Sequence, residues 1–219
     1  MKPSNLADAV LADSTQELKE GLVALGINAS AQQVGQWLEY LQLLAKWNAA
    51  YNLSGVTDLH DMITVHLLDS LALGSYLKGD VFVDVGTGAG LPGIPLAILY
   101  PDKHFTLIDS NGKKTRFLFQ VKLALELGNI VIENCRIEHY QSPRQIDMVM
   151  CRAFSSLEDT VAKTQQLLAK GSKLLAMKGR YPEQEINRLP AGFEVKTIAK
   201  LGIPGSDSQR HMIEIGRTR

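Results

Sequence analysis

Cysteine is almost absent from this chain. Cys135 and Cys151 are the only two, too few for a disulfide framework and in no CxxC or Cys/His spacing that suggests zinc. That scarcity fits a reducing cytosol. Long apolar runs are missing as well. No stretch of about 18 apolar residues occurs, and the first residues mix Asp8 and Asp13 with short apolar segments, so neither a signal peptide nor a membrane span is expected. Internal repeats and low-complexity tracts are also lacking, which excludes solenoids and arrays. Net charge is missing overall, with 23 basic and 23 acidic side chains.

What is present is ordinary globular composition. Hydrophobic residues make up 45% and charged residues 21% of 219 residues, enough for one sizeable core and one active site in an α/β domain with an appendage. The charges are unevenly placed. Residues 1 to 80 hold 4 basic and 9 acidic groups, 81 to 159 hold 8 and 9, and 160 to 219 hold 11 and 5. The last quarter is therefore net basic, which suits contact with a polyanion on one face and equally suits a solvated surface.

Periodicity predicts helices over residues 14 to 77 and no strand before residue 80. Ser14-Thr15-Gln16-Glu17 has the form of a capping box opening a helix that stops near Gly26. From Ser30, the apolar residues Val34, Trp37, Leu38, Leu41, Leu44 and Ala45 share one helical face. Asp58 is placed to cap a third helix carrying Met62, Ile63, His66, Leu67 and Leu71. Beyond residue 80 the pattern becomes β-rich runs at 81–85, 104–109, 129–134, 146–150 and 173–178. Helices are expected between them at 92–100, 112–127 and 156–169, and two closing strands at 193–200 and 211–216. Alternation of this kind implies a mostly parallel, seven-stranded sheet, with a helical cap over 1–79 and an α/β domain over 80–219.

The sharpest motif is Val81-Phe-Val-Asp84-Val-Gly86-Thr-Gly88-Ala-Gly90-Leu91-Pro92-Gly93. A hydrophobic strand runs into a glycine turn and then a helix, the order needed for a nucleotide-like ligand to approach backbone. Gly88 to Gly93 satisfies GxGxxG literally and keeps a nicotinamide-dependent oxidoreductase open. Asp84 argues the other way, because a carboxylate two residues before Gly86 would repel a pyrophosphate at the helix N-terminus while tolerating the cationic sulfonium of S-adenosylmethionine. Asp109 ends the second strand, 23 residues beyond Gly86, where an acid can accept hydrogen bonds from ribose hydroxyls. Its competing reading is a helix N-cap.

Lys46-Trp47-Asn48 with Tyr51-Asn52-Leu53, His66-Leu-Leu-Asp69-Ser70, the Asp84 to Pro95 stretch, Asp109 to Phe117, Arg152-Ala-Phe154 and Lys178-Gly179 occur in order. Together they resemble the ribosomal RNA small subunit methyltransferase G family, also called glucose-inhibited division protein B, over nearly the whole chain. The resemblance implies a Rossmann-like class I S-adenosylmethionine-dependent methyltransferase acting on N7 of a guanine in the decoding-region loop of small-subunit (16S) ribosomal RNA, as naked RNA or in the assembled subunit. It implies cofactor contacts at Gly86, Leu91, Ile137, Glu138 and Arg152, beside Asp84, Gly88, Gly90 and Asp109 from the glycine motif and second strand.

Guanine N7 presents an unprotonated lone pair, so alignment and desolvation matter more than a general base. The run Met150-Cys151-Arg152-Ala153-Phe154 lacks the Asp/Asn-Pro-Pro-aromatic pattern of exocyclic amine methylation, and Cys151 reads as a buried apolar residue. Catalytic candidates are Arg152, Lys178, His66 and Asp69, the last two one turn apart on a helix and able to pair. Lys113, Lys114, Arg116, Lys178, Arg180 and Arg210, with His211, are candidates for RNA phosphate contact. Trp37, Trp47, Tyr40 and Tyr51 are either base-stacking groups or cap packing. No metal is expected. A noncatalytic RNA-binding assembly factor on the same scaffold remains the alternative from another class.

Overall fold

The computed structural model describes residues 3–168 and 171–218, with side chains from residue 12 onward. The last residue of the helix expected over 156–169, and Lys170 and Arg219 of the basic quarter, lie outside the described residues.

Helix α1 (Pro3–Ala24) begins upstream of the expected start. The Ser14–Glu17 pattern lies inside it, and Ser14 is fully buried. Helix-favouring residues on both sides let the helix run through a tetrapeptide that would otherwise cap one. Ser30 caps α2 (Ala31–Tyr51), with a reciprocal box: the Ser30 Oγ accepts from the Gln33 N–H and the Gln33 Oε1 accepts from the Ser30 N–H. Asn52, at φ 51°, closes it in a left-handed conformation. Asp58 caps α3 (Leu59–Met62), which continues through a π-helical turn (Ile63–Leu68) into α4 (Asp69–Leu71). The single expected helix is thus interrupted by a wider turn.

Strand β1 (Val81–Val85) leads through the glycine turn to α5 (Gly93–Leu99); β2 (His104–Ile108), α6 (Gly112–Ala124) and β3 (Ile130–Glu133) follow. Then come β4 (Met148–Arg152), α7 (Leu157–Thr164), β5 (Lys173–Lys178), the short α8 (Glu183–Ile186), β6 (Phe193–Lys200) and β7 (His211–Arg217). The sheet order is β3-β2-β1-β4-β5-β7-β6. Pairings from β3 through β5 are parallel, and β7 runs antiparallel to both its neighbours. Strand β4 sits two residues later than periodicity suggested. Asp147 ends the preceding loop by accepting from the Asp80 and Val81 N–H groups at 2.7 and 2.9 Å, and this shift brings Cys151 and Arg152 into the sheet.

Order reverses between β1 and β4, which opens a crevice at their carboxyl ends, the usual ligand position in an open parallel sheet. One sheet face buries Phe82, Phe105, Leu107 and Met150 with α5, α6 and the cap; the other buries Val83, Val85, Val149 and Leu174 with α7. Cap and sheet share one core, since Trp37, Tyr40 and Leu41 cluster with Phe117 and Phe82. Among the described residues no helix is long and apolar enough to cross a membrane.

Candidate active site

The glycine turn needs its glycines for stated reasons. Gly86, Gly88 and Gly90 have φ of 65°, 62° and 96°, a region costly for side chains, and a Cβ on Gly86 would lie 2.3 Å from the Phe154 ring. Asp84 does not face solvent. It is fully buried, and its Oδ2 accepts from Thr87 Oγ1 at 2.7 Å and the Gly93 N–H at 2.8 Å, pinning the turn from below. Burial pushes its carboxyl up to about 6, against the two hydrogen bonds that favour the charged form. Its Oδ1 has no partner among the described residues, leaving one acceptor for a donor brought from outside. Two cap residues hold the turn from above. Tyr40, fully buried, donates to the Ala89 carbonyl at 2.9 Å, and Trp37 Nε1 donates to the Pro95 carbonyl at 3.1 Å. Neither is a base-stacking group. Tyr51 stays 46% exposed, its ring centroid 5.2 Å from that of Trp47, which lies 5.7 Å from Phe117.

Asp109 Oδ2 accepts from the Gly88 N–H at 3.0 Å and Oδ1 from the Asn111 N–H at 2.8 Å. It does not cap α6; Asn111 does. A carboxylate has about four lone-pair sites, so capacity remains on Asp109 for ribose hydroxyls. A cavity of about 300 Å³ is lined by Gly86, Asp109, Cys135, Ile137, Glu138 and Phe154 among others. The structure therefore brings together four expected cofactor residues: Gly86, Asp109, Ile137 and Glu138. Asp84, Gly88, Gly90 and Leu91 support the turn and are not among the lining residues; Asp84 is fully buried and Leu91 is 5% exposed. Lys114, expected on RNA, also lines this cavity, with its Nζ 3.6 Å from Asp109. A glycine cradle, a ribose-height carboxylate, an apolar side chain at residue 137 and an unpaired buried acceptor form a set that fits an adenosine carrying a cationic amino-acid tail.

Arg152 is not in that cavity. It lines an adjacent cleft of about 370 Å³ together with His66, Asp69, Lys178 and Arg210. Ala153 lines both and, at φ 50°, holds a left-handed turn between them. For a non-glycine residue such a conformation is uncommon and gathers at working sites. The expected pairing of His66 with Asp69 does not form. His66 Nε2 bonds Ser54 Oγ at 2.6 Å, and burial, helped by the Arg152 charge, lowers the imidazole to about 4. Asp69 instead receives both arginines. Cys151 is buried and its thiol pushed up to about 12 by desolvation, as suits an inert packing residue.

Three lysines of the basic quarter are held by carboxylates of the same quarter, which leaves its net charge unchanged. Lys178 donates to the Ser155 carbonyl at 2.7 Å and pairs with Glu185 at 2.8 Å; Lys173 pairs with Glu214 and Lys196 with Glu194. Lys113, Arg116 and Arg180 are exposed on the surface. Sequence reasoning missed Tyr40 as a support for the turn, Ala153 as a shared wall, and Glu185 as the partner of Lys178. Only the first carried a signal, its place on the buried stripe of α2.

Comparison with known proteins decides between the readings. The family model described as rRNA small subunit methyltransferase G matches residues 33–213. The Ribosomal RNA small subunit methyltransferase G of Hahella chejuensis is 45% identical over 206 residues, covering 94% of this chain and 95% of that protein. The same-named protein of Pseudomonas aeruginosa is 46% identical over 211 residues, covering 96% and 99%. Among solved structures, the magnesium protoporphyrin IX methyltransferase of Synechocystis with bound SAH aligns with TM-score 0.56 at 14% identity, over 82% of this chain and all of that one. A Streptococcus agalactiae protein of the NADB-Rossmann superfamily aligns at 0.55 and 12%, over 69% of each chain. Those two likenesses establish the Rossmann-like fold alone; the matched family model and the relatives near 46% identity go further, and by them this chain belongs to the rRNA small subunit methyltransferase G family.

Proposed function

We propose that this protein transfers a methyl group from S-adenosylmethionine to N7 of a guanine in the decoding-region loop of small-subunit ribosomal RNA. The observation that carries the reading is the pair of clefts sharing Ala153, one built for an adenosine and the other lined by two arginines. The cofactor supplies an electrophilic methyl on a sulfonium. When it is bound, the open backbone at Gly86 would let it approach closely, Asp109 would take its ribose hydroxyls, and Ile137 and Glu138 would flank its adenine. Asp84, fully buried beneath the turn, would serve the amino end of the cofactor through its unpartnered Oδ1. The arginine-lined cleft beside it would hold the target nucleotide, and orientation is what an unprotonated N7 needs from the chain.

No proton has to leave N7, and the residues around the cleft agree with that. His66 Nε2 is bonded to Ser54 and its Nδ1 is buried, both Asp69 oxygens are occupied by guanidinium groups, and Lys178 is held by Glu185. The chain's own contribution is orientation and exclusion of water. Residues 80–219 serve as the catalytic domain and 1–79 as a cap that braces the glycine turn. We take the assembled small subunit in the cytoplasm as the substrate, because a chain of zero net charge gains little affinity for naked RNA from bulk attraction.

The test is incubation of the protein with labelled S-adenosylmethionine and unmodified small-subunit particles, with naked ribosomal RNA alongside, then digestion and nucleoside identification. Labelled 7-methylguanosine from particles is expected. Another methylated nucleoside would overturn the target atom, a better yield from naked RNA would overturn the particle, and cofactor binding without transfer would favour a noncatalytic assembly factor.

A further inference from the structure

Asp69 stands on α4 directly after the π-helical turn, and its side chain is 3% exposed. Each oxygen takes a different arginine. Oδ2 accepts from Arg152 Nη1 at 3.0 Å, at the end of β4, and Oδ1 accepts from Arg210 Nε at 2.6 Å, just before β7. The π turn contributes directly: the Asp69 N–H reaches the Thr64 carbonyl, and the Val65 carbonyl accepts from Arg152 at 2.9 Å. Two guanidinium groups share one carboxylate, so the cluster keeps a net positive charge. Arg152 Nε and Nη2 and Arg210 Nη2 donate to no other described residue, and both arginines line the second cleft.

We propose that Asp69 is a positioning residue that holds Arg152 and Arg210 as a two-armed clamp on a phosphate flanking the target guanine. This rests on the function proposed above. The clamp is assigned to phosphate and not to the base for a chemical reason. A guanidinium fork on guanine reads O6 and N7 together, and a donor on N7 would occupy the lone pair that must be methylated. A phosphate offers the same fork two oxygens and leaves N7 open. Lys178 adds little, since Glu185 already neutralises it. Asp69 does not act as a base, because both its oxygens face fixed cations.

The experiment compares wild type with Asp69→Asn, which keeps shape and removes the charge. It measures cofactor affinity by calorimetry, binding of a labelled decoding-region RNA hairpin, and steady-state methylation of unmodified particles. Cofactor affinity is expected to stay within about twofold, RNA affinity to fall and KM for particles to rise by about tenfold, with kcat changing less than KM. In an Arg210→Ala background the same substitution is expected to add less than about twofold, because its effect passes through the arginine. Arg210→Lys covers the case in which Asp69→Asn fails to fold: it keeps the charge, loses the fork, and is expected to raise KM alike. Unchanged RNA affinity in a folded Asp69→Asn or Arg210→Lys protein would overturn the clamp. A full additional loss in the Arg210→Ala background would also overturn it, as would a wild type that binds neither the hairpin nor the particles. Wild type that binds cofactor and hairpin but transfers no methyl would sink the functional reading alone, and the binding measurements would still decide the role of Asp69.

Discussion

Two buried groups titrate in opposite senses over nearly the same range. Asp84 is raised from 3.8 to about 6, so the folded state holds its proton more tightly, and its contribution to stability is full below pH 4 and lost as pH rises to 6. His66 is lowered from 6.5 to about 4, so its contribution is full above pH 6.5 and lost as pH falls to 4. Each effect is on the order of 3 kcal/mol, and in the wild type they largely cancel. Urea unfolding at stepped pH separates them. Asp84→Asn is expected to gain stability relative to wild type as pH climbs from 4 to 6, and His66→Asn to lose it relative to wild type from 4 to 6.5. Differences that do not vary with pH would contradict both assignments. At Asp109 the expectation concerns ligand and not fold: Asp109→Asn weakens S-adenosylmethionine binding by roughly 10- to 100-fold, the scale of hydrogen bonds to a charged acceptor. Calorimetry reads that directly, and an unchanged affinity would remove Asp109 from the ribose.

At the scale of elements, α2 matters to a turn it does not belong to. Tyr40→Phe keeps the packing but leaves the Ala89 carbonyl buried without its donor, and a loss of about 1–3 kcal/mol is expected, with weaker cofactor binding because Ala89 is in the glycine turn. A variant as stable as wild type would show the hydroxyl to be idle. The elements also explain what could be read beforehand. The α2 stripe, the Asp58 cap and the strand from Val81 to Val85 were legible because helical spacing, caps and β-rich runs act locally, through neighbours in sequence. The Ser14 pattern misled because the same local chemistry is outweighed when helix formers lie on both sides. The π turn, the left-handed Ala153 and the two arginines on Asp69 were not legible at all. Each depends on residues far apart in the chain: Arg152 and Arg210 reach Asp69 only because β4 ends and β7 begins beside α4. For the same reason Gly86 and Asp109, within one strand-turn-strand unit, could be placed at one cavity from the sequence, while Arg152 lines the cleft on the other side of Ala153.

For the molecule as a whole, charge is balanced, and three lysines of the carboxyl-terminal quarter are already held by carboxylates. RNA recognition then depends on few phosphates. The affinity for a decoding-region hairpin is expected to fall with salt along a log–log slope no steeper than about −3, corresponding to four or fewer neutralised phosphates. Titration between low and moderate salt measures it, and a slope near −6 would mean a far broader contact.

The core shared by cap and sheet sets a condition on the order of synthesis. The stripe of Trp37, Leu41 and Leu44 leaves the ribosome well before α5 and α6, which supply the residues that bury it. A nascent chain paused at residue 80 would show that stripe to solvent, with Tyr40 lacking the carbonyl it is built to meet. Until α6 has emerged, those first helices have an apolar face and nothing to close it, and shielding them over that interval falls to chaperones or to the speed of translation.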